Sequence, residues 1–151
     1  MTQRSGLLAI GECMIELSGG ENAIYRQGFA GDTLNTAWHA RAALPPEIPV
    51  GYFTAVGVDS MSDRLLGFLK QSGIAQDTVL RVPNRRPGLY MIEQRDGDRH
   101  FTYWRDTSAA RLMAEDIDLL HTAFAGAAYL YLSGITLAIL SPAARSRLLS
   151  A

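Results

Sequence analysis

Three short, mostly apolar runs, residues 7–10, 50–56 and 129–132, alternate with stretches of helical periodicity, and this alternation narrows the possible folds most. Leu7-Leu-Ala-Ile10 closes on Gly11, and Tyr129-Leu-Tyr-Leu132 closes on Ser133-Gly134. Runs of this kind, with no polar alternation, read as strands buried on both faces. Between them, residues 60–72 carry Leu65, Leu66 and Leu69 on one helical stripe and stop at Gly73, and residues 114–124 read as a helix with an acidic start. Ser141-Pro142 caps a last helix through Arg145, Leu148 and Leu149. Strand, helix, strand, helix is the grammar of an α/β domain with a parallel sheet and crossover helices. The last helix reaches Ala151 with no return strand, so the expectation is a fragment of a larger α/β domain.

One segment breaks the alternation. Residues 88–95 and 98–105 are β-favouring runs around Asp96-Gly97, a turn pair that predicts a two-residue hairpin. Counting outward pairs Arg95 with Asp98, Gln94 with Arg99, Ile92 with Phe101 and Tyr90 with Tyr103. Alternation then puts Tyr90, Ile92, Phe101, Tyr103 and Arg105 on one face, and Leu89, Met91, His100, Thr102 and Trp104 on the other. Large apolar groups on both faces predict a hairpin covered on both sides, most simply a flap on the main sheet. Upstream, residues 12–17 continue extended beyond the first strand, Gly19-Gly20-Glu-Asn signals a turn, and Ile24-Tyr25-Arg26 is expected to return as a partner strand.

The candidate binding segment is Phe29-Ala-Gly-Asp-Thr-Leu-Asn-Thr-Ala-Trp-His-Ala-Arg41, a tight loop running into a helix. Asp32 or Thr33 is expected to cap it, with Leu34, Ala37 and Trp38 at helical spacing. Gly31 allows a close backbone approach, and Asp32 and Asn35 lean over the same helix mouth. A bare helix N-terminus favours phosphate, but a carboxylate standing in it suits a ligand rich in hydroxyls instead.

Composition excludes several classes. A net charge of -1, with 48% apolar and 19% charged residues, gives no basic excess for nucleic acid. The single Cys13 excludes an internal disulfide, fits a reducing compartment and is expected to be an inert core thiol. His39, His100 and His121 lie far apart, so no metal site is expected. Residues 122–144 are uncharged over a length that could span a bilayer, but Gly126, Ser133, Gly134 and Pro142 divide them into a helix end, a buried strand and a loop. The few apolar residues before Glu12 are too short for a signal peptide. The sequence has neither a Walker phosphate loop nor a dinucleotide fingerprint.

Six segments in order, Ile10-Gly-Glu-Cys-Met-Ile-Glu-Leu17, Phe29-Ala-Gly-Asp-Thr-Leu-Asn35, Thr54-Ala-Val-Gly-Val-Asp59, Pro87-Gly-Leu-Tyr-Met-Ile-Glu93, Phe101-Thr-Tyr-Trp-Arg105 and Leu130-Tyr-Leu-Ser-Gly-Ile135, carry a resemblance that single motifs do not. Together they resemble the N-terminal half of a ribokinase-like (PfkB family) carbohydrate kinase, in the branch acting on 2-keto-3-deoxygluconate. The resemblance implies a three-layer α/β sandwich around a central, mostly parallel sheet, with a small β lid from residues 12–28 and 79–106. It implies ATP-dependent phosphorylation of the sugar acid on its 6-hydroxyl with Mg2+, in the cytoplasm, by a homodimer joined through the lid. It also implies that residues 1–151 are part of one kinase domain. By the same resemblance Gly31 and Asn35 match the family's sugar-binding motif, and Tyr90, Tyr103 and Arg105 match lid residues that contact the sugar acid. Asp32, at the helix mouth, joins them as a sixth candidate substrate-binding residue.

Two departures qualify the resemblance. Ala30 replaces the motif's usual first glycine, which requires negative φ there. The family's Gly-Ala-Gly-Asp-type stretch, which supplies the anion hole and the proton-accepting aspartate, does not occur. No catalytic residue is therefore assigned, and ATP and Mg2+ are expected to be held mainly by a C-terminal half outside these residues. Two other readings stand beside this one. In one, a fructokinase or ribokinase relative acts on a neutral sugar, against which Tyr103-Trp-Arg105 argues. In the other, the chain is a non-catalytic sugar-acid binding or interaction module.

Overall fold

A computed structural model describes residues 5–19, 24–95 and 97–151. The three apolar runs form a parallel sheet with β1 (Leu7–Ile10) in the centre, β4 (Val50–Phe53) on one side and β9 (Tyr129–Leu132) on the other. Leu7 stands in register with both Val50 and Tyr129. Alternation along β1 sends Leu8 and Ile10 to one side and Ala9 to the other, and both sides are covered. On one, Leu8, Ile10 and Phe53 pack with Leu120 and Phe124 of α3 (Ile117–Phe124) and Leu148 of α5 (Pro142–Ser150). On the other, Ala9, Val50 and Tyr52 pack with Leu34 and Ala37 of α1 (Asp32–Ala43) and Leu65 and Leu69 of α2 (Ser60–Gln71). The result is a helix–sheet–helix sandwich.

A second sheet rises from the carboxyl end of β1. Its order is β3 (Tyr25–Ala30), β2 (Met14–Gly19), β7 (Leu89–Arg95), β8 (Asp98–Trp104). The β7–β8 register is the one counted from the turn: Arg95 faces Asp98, Ile92 faces Phe101 and Tyr90 faces Tyr103. Gly97 has φ 86°, as the turn demands, while Asp96 and residues 20–23 of the other expected turn lie outside the described residues. β2 joins β3 antiparallel and β7 parallel, so the returning strand and the hairpin make one four-stranded lid.

Several expectations need correction. Residues 50–56 are not one strand: β4 leaves the central sheet after Phe53, and β5 (Ala55–Val56) pairs with β6 (Leu80–Arg81). The helix expected from residue 114 starts at Ile117, because Asp116 Oδ1 accepts the amides of Asp118 at 2.9 Å and Leu119 at 3.3 Å. Residues before it form a short 3-10 turn, Ala109–Leu112. Ser133 is not in a loop but caps the short α4 (Gly134–Ile139) with a capping box, and Thr136 Oγ1 ties that helix to the Ile10 carbonyl at 2.9 Å. Trp38 lies off the buried stripe of α1, 46% exposed.

Two surfaces expected to be buried are open. Tyr129 and Leu130 of β9 are 73% and 47% exposed, because β9 is an edge strand paired only with β1. All of β8 is exposed, so the hairpin is not covered on both faces among the described residues.

Candidate functional site

The lid stands over the mouth of α1, and the cavity between them measures about 270 Å3. That is close to the lower end of the ~300–1,000 Å3 usual for small-ligand pockets. Its lining includes all six sequence-derived candidates, Gly31, Asp32, Asn35, Tyr90, Tyr103 and Arg105. Glu12, Met14, Phe101 and Ile135 complete the lining. A wider hollow of about 1,110 Å3 lies farther out along the lid, lined by Glu16, Ser18, Arg26, Ile92 and Gln94 among others. Size alone does not make a site, and it is the smaller cavity that brings together polar side chains from the segment after β1, the mouth of α1 and the lid, with Glu12 and Tyr90 buried.

Each wall follows from local sequence. Gly31, not Asp32 or Thr33, is the N-cap of α1, and no side chain caps it. Asp32 is the first helical residue, and its Oδ1 accepts the Thr33 amide at 2.8 Å. Gly31 has extended φ of 171°, so its lack of a side chain serves contact: a Cβ there would strike the Glu12 carbonyl oxygen. Ala30 is tolerated in place of glycine because the only non-glycine residue with positive φ among those described is Asn84. Asp32 and Asn35 are exposed toward the opening, and the Asn35 side chain makes no hydrogen bond among the described residues.

The lid wall is aromatic. Tyr90, Phe101 and Tyr103 form a cluster, with the Tyr90–Tyr103 centroids 5.8 Å apart and the Phe101–Tyr103 planes within 12°. The Tyr90 hydroxyl donates to Glu16 Oε2. Burial raises the Tyr90 pKa first, and the hydrogen bond to Glu16 and its charge add to that, so the group remains a protonated donor. Arg105 sits at the lid base with its guanidinium 6.0 Å from the centre of the Tyr103 ring. Its ionic partner is Glu12 Oε2, and Glu93 pairs instead with Arg95 at 3.0 Å.

Sequence reasoning missed Glu12, which it read only as a polar position on an extended segment. The residue is 4% exposed, and its Oε1 has no hydrogen-bond partner in the structure described. The available signal was its setting: an acid between the buried run ending at Ile10 and the apolar Cys13-Met14-Ile15. Cys13 is buried, and burial followed by the Glu12 charge pushes its thiol pKa up, away from reactivity.

These walls do not fit a nucleotide or its metal. Among the described residues no three His, Cys, Asp or Glu side chains are grouped to hold a cation. The mouth of α1 at the cavity carries the Asp32 carboxylate, which repels a phosphate chain, and the first turn of α4 presents the apolar Ile135. No described helix is long and apolar enough to cross a membrane.

Residues 4–151 match the family described as pfkB family carbohydrate kinase. The chain is 46% identical over 145 residues to the 2-dehydro-3-deoxygluconokinase of Dickeya dadantii (strain 3937), covering 93% of this chain and 46% of that protein. It is 45% identical over 148 residues to the enzyme of the same name from Escherichia coli (strain K12), covering 95% and 48%. Among solved structures, the 2-dehydro-3-deoxygluconokinase of Thermotoga maritima superposes with a TM-score of 0.78 at 20% identity, over 97% of this chain and 47% of that one. The fructokinase of Xylella fastidiosa gives 0.76 at 18%, over 98% and 48%. At such identities the structural likeness shows the fold, a ribokinase-like sandwich. The chain spans about half the length of the curated relatives it matches.

Proposed function

This chain belongs to the pfkB family of carbohydrate kinases, and from that premise we propose that it is the sugar-binding, N-terminal part of a 2-keto-3-deoxygluconate kinase. In this reading the lid expected from residues 12–28 and 79–106 is the sheet β3-β2-β7-β8, with Leu80–Arg81 paired to β5 outside it, and a C-terminal half supplies the nucleotide and metal sites and the base that takes the 6-hydroxyl proton. The full-length protein transfers a phosphoryl group from ATP, with Mg2+, to the sugar acid, in the cytoplasm. The reading frame beyond codon 151 tests the division: continuation into a Gly-Asp motif supports it, and a natural stop after Ala151 overturns it in favour of a non-catalytic binding module.

The observation that carries the reading is Arg105 set within the same cavity as Asp32, Asn35, Tyr90 and Tyr103. A guanidinium offers a planar fork that binds a carboxylate through two parallel hydrogen bonds, which suits an acid at one end of the ligand. Asn35 offers both a donor and an acceptor and Asp32 acceptors only, which suits hydroxyls at the other end. The aromatic wall excludes water from the aliphatic carbon chain between them. Gly31 contributes by bringing the helix mouth close to the loop after β1.

One observation favours the second reading, a neutral sugar. Glu12 already balances the charge of Arg105, which weakens its pull on an acidic ligand. A substrate panel on the full-length protein separates the two: 2-keto-3-deoxygluconate should be turned over far better than fructose or ribose, and the reverse order would establish the neutral sugar.

The lid also supports a homodimer. Leu89 and Met91 are half-buried and Trp104 is 56% exposed on the lid face opposite the cavity, an apolar group of the kind that marks an interface.

A further inference from the structure

We propose that Glu12 is a positioning residue for substrate recognition: its buried carboxylate grips one edge of the Arg105 guanidinium and aims the remaining N–H groups at the acid group of the ligand. The inference deepens the sugar-acid reading and rests on it.

Three observations converge. Glu12 has a side chain only 2% exposed, and its one partner among the described residues is the Arg105 Nη2, on a side chain 20% exposed at the cavity wall. Its other oxygen, Oε1, is buried without a donor. A half-satisfied buried carboxylate is a poor device for stability, since an apolar side chain of similar volume serves the core as well or better. Gly88, at the start of the lid hairpin, makes room for the pair. A Cβ there would lie 2.7 Å from Glu12 Oε1, 3.0 Å from the Arg105 Cβ and 3.1 Å from the Met14 Cγ. Arg105 also lies over the Tyr103 ring, 6.0 Å from its centre. The guanidinium thus has both a carboxylate and an aromatic face as neighbours.

The chemistry follows from the count of donors. A guanidinium has five N–H groups, and the bond to Glu12 leaves most of them for a ligand. An arginine already ordered loses less rotamer freedom on binding than one free in solution. The Glu12 charge has an opposing effect, because it also repels the ligand carboxylate. We infer that orientation outweighs repulsion, since both acids would share one cation lying between them.

The experiment uses the full-length kinase with 2-keto-3-deoxygluconate and, separately, a neutral sugar substrate. Glu12→Gln, Glu12→Asp, Arg105→Leu and the double variant Glu12→Gln/Arg105→Leu are compared by KM, kcat and melting temperature. Glu12→Gln should raise KM for the acid by about tenfold, the scale of one charge-assisted contact, with the loss in KM rather than kcat. Glu12→Asp should recover part of it. In the Arg105→Leu background the same Glu12→Gln change should alter KM by less than about twofold, because its target is gone. If Glu12→Gln proves unstable, Gly88→Ala displaces the carboxylate without removing it and should reproduce the acid-specific rise. A Glu12→Gln effect of equal size with or without Arg105, a rise in KM equal for acid and neutral sugar, or tighter binding of the acid overturns the proposal. Arg105→Leu with a strong effect and Glu12→Gln with none overturns it alone. An Arg105→Leu enzyme with unchanged acid KM overturns the sugar-acid reading beneath it as well.

Discussion

Tyr90 and Tyr103 stand directly opposite each other on the two strands of the lid hairpin, with ring centroids 5.8 Å apart and planes inclined by 32°. Their shared face is set by the turn at Gly97: a slip of β8 by one residue would send Tyr103 and Arg105 to the side opposite Tyr90, which β2 holds in place. The turn therefore decides whether the lid has a binding face.

Tyr90 has a second bond to keep. Its hydroxyl donates to Glu16, and burial, aided by Glu16, holds its pKa above the ordinary tyrosine value of 10.0. Tyr90→Phe keeps the ring stack and removes that donor, at a cost of about 1 kcal/mol. A raised tyrosine pKa leaves the donor protonated until the pH climbs past it. The stability difference between the two proteins, read from thermal melts, should therefore be flat from pH 7 to 9. A difference that vanishes by pH 9 would show that the hydroxyl ionises early and the bond is not as described.

Asp59, the N-cap of α2, should make the protein's stability acid-sensitive. Its Oδ1 accepts the Met61 amide at 3.0 Å and the Ser62 amide at 3.2 Å, and Oδ2 accepts the Ser62 hydroxyl at 2.8 Å. Burial pushes its pKa up, but these hydrogen bonds outweigh it and leave the net value below 3.8. A depressed carboxyl pKa contributes stability above the unfolded value, lost as the pH falls through the folded one. Asp59→Ala should thus destabilise by about 1 kcal/mol at pH 7, and the penalty should fade below pH 4. Acid titrations followed by circular dichroism check this, and a penalty unchanged at pH 2.5 would count against the cap.

The hairpin and the central parallel sheet were legible because each rests on local chemistry, a turn dipeptide and short apolar runs; the six candidate residues came from the family resemblance and the helix mouth, and all six line one cavity. The setting of Glu12 was not legible, because its ion-pair partner, Arg105, is 93 positions away in the chain. The exposure of β9 was not legible either, since Tyr129-Leu-Tyr-Leu132 has the composition of a buried strand whatever covers it. The start of α3 was misjudged because Asp116, read as part of an acidic first turn, serves as the cap itself.

Residues 1–151 alone should show no ATP turnover stimulated by the sugar acid. The sequence lacks the Gly-Ala-Gly-Asp-type stretch, and phosphoryl transfer depends on an anion hole and a base for the hydroxyl proton. A coupled ADP-release assay on the pure 151-residue chain reads this directly, and sugar-dependent turnover would refute the proposed division of labour.

The dimer prediction turns on Trp104. Trp104→Glu places a charge in the apolar face with Leu89 and Met91, and sedimentation should show the full-length protein shift from dimer to monomer. A wild-type protein that sediments as a monomer at high concentration, with Trp104 freely quenched by iodide, would remove the lid interface.

Arg105 is proposed to receive the acid group of the substrate, and calorimetry of ligand binding to the full-length protein measures that contact. A charge-assisted contact contributes about 1.5–3 kcal/mol, so Arg105→Leu should weaken 2-keto-3-deoxygluconate binding roughly 10- to 150-fold. Arg105→Lys should restore only part of that, keeping the charge but not the paired geometry. A neutral analogue lacking the carboxylate should bind wild type and Arg105→Leu about equally weakly. Equal losses for acid and neutral ligand would mean that Arg105 only braces the lid against Glu12, and the carboxylate assignment would be wrong.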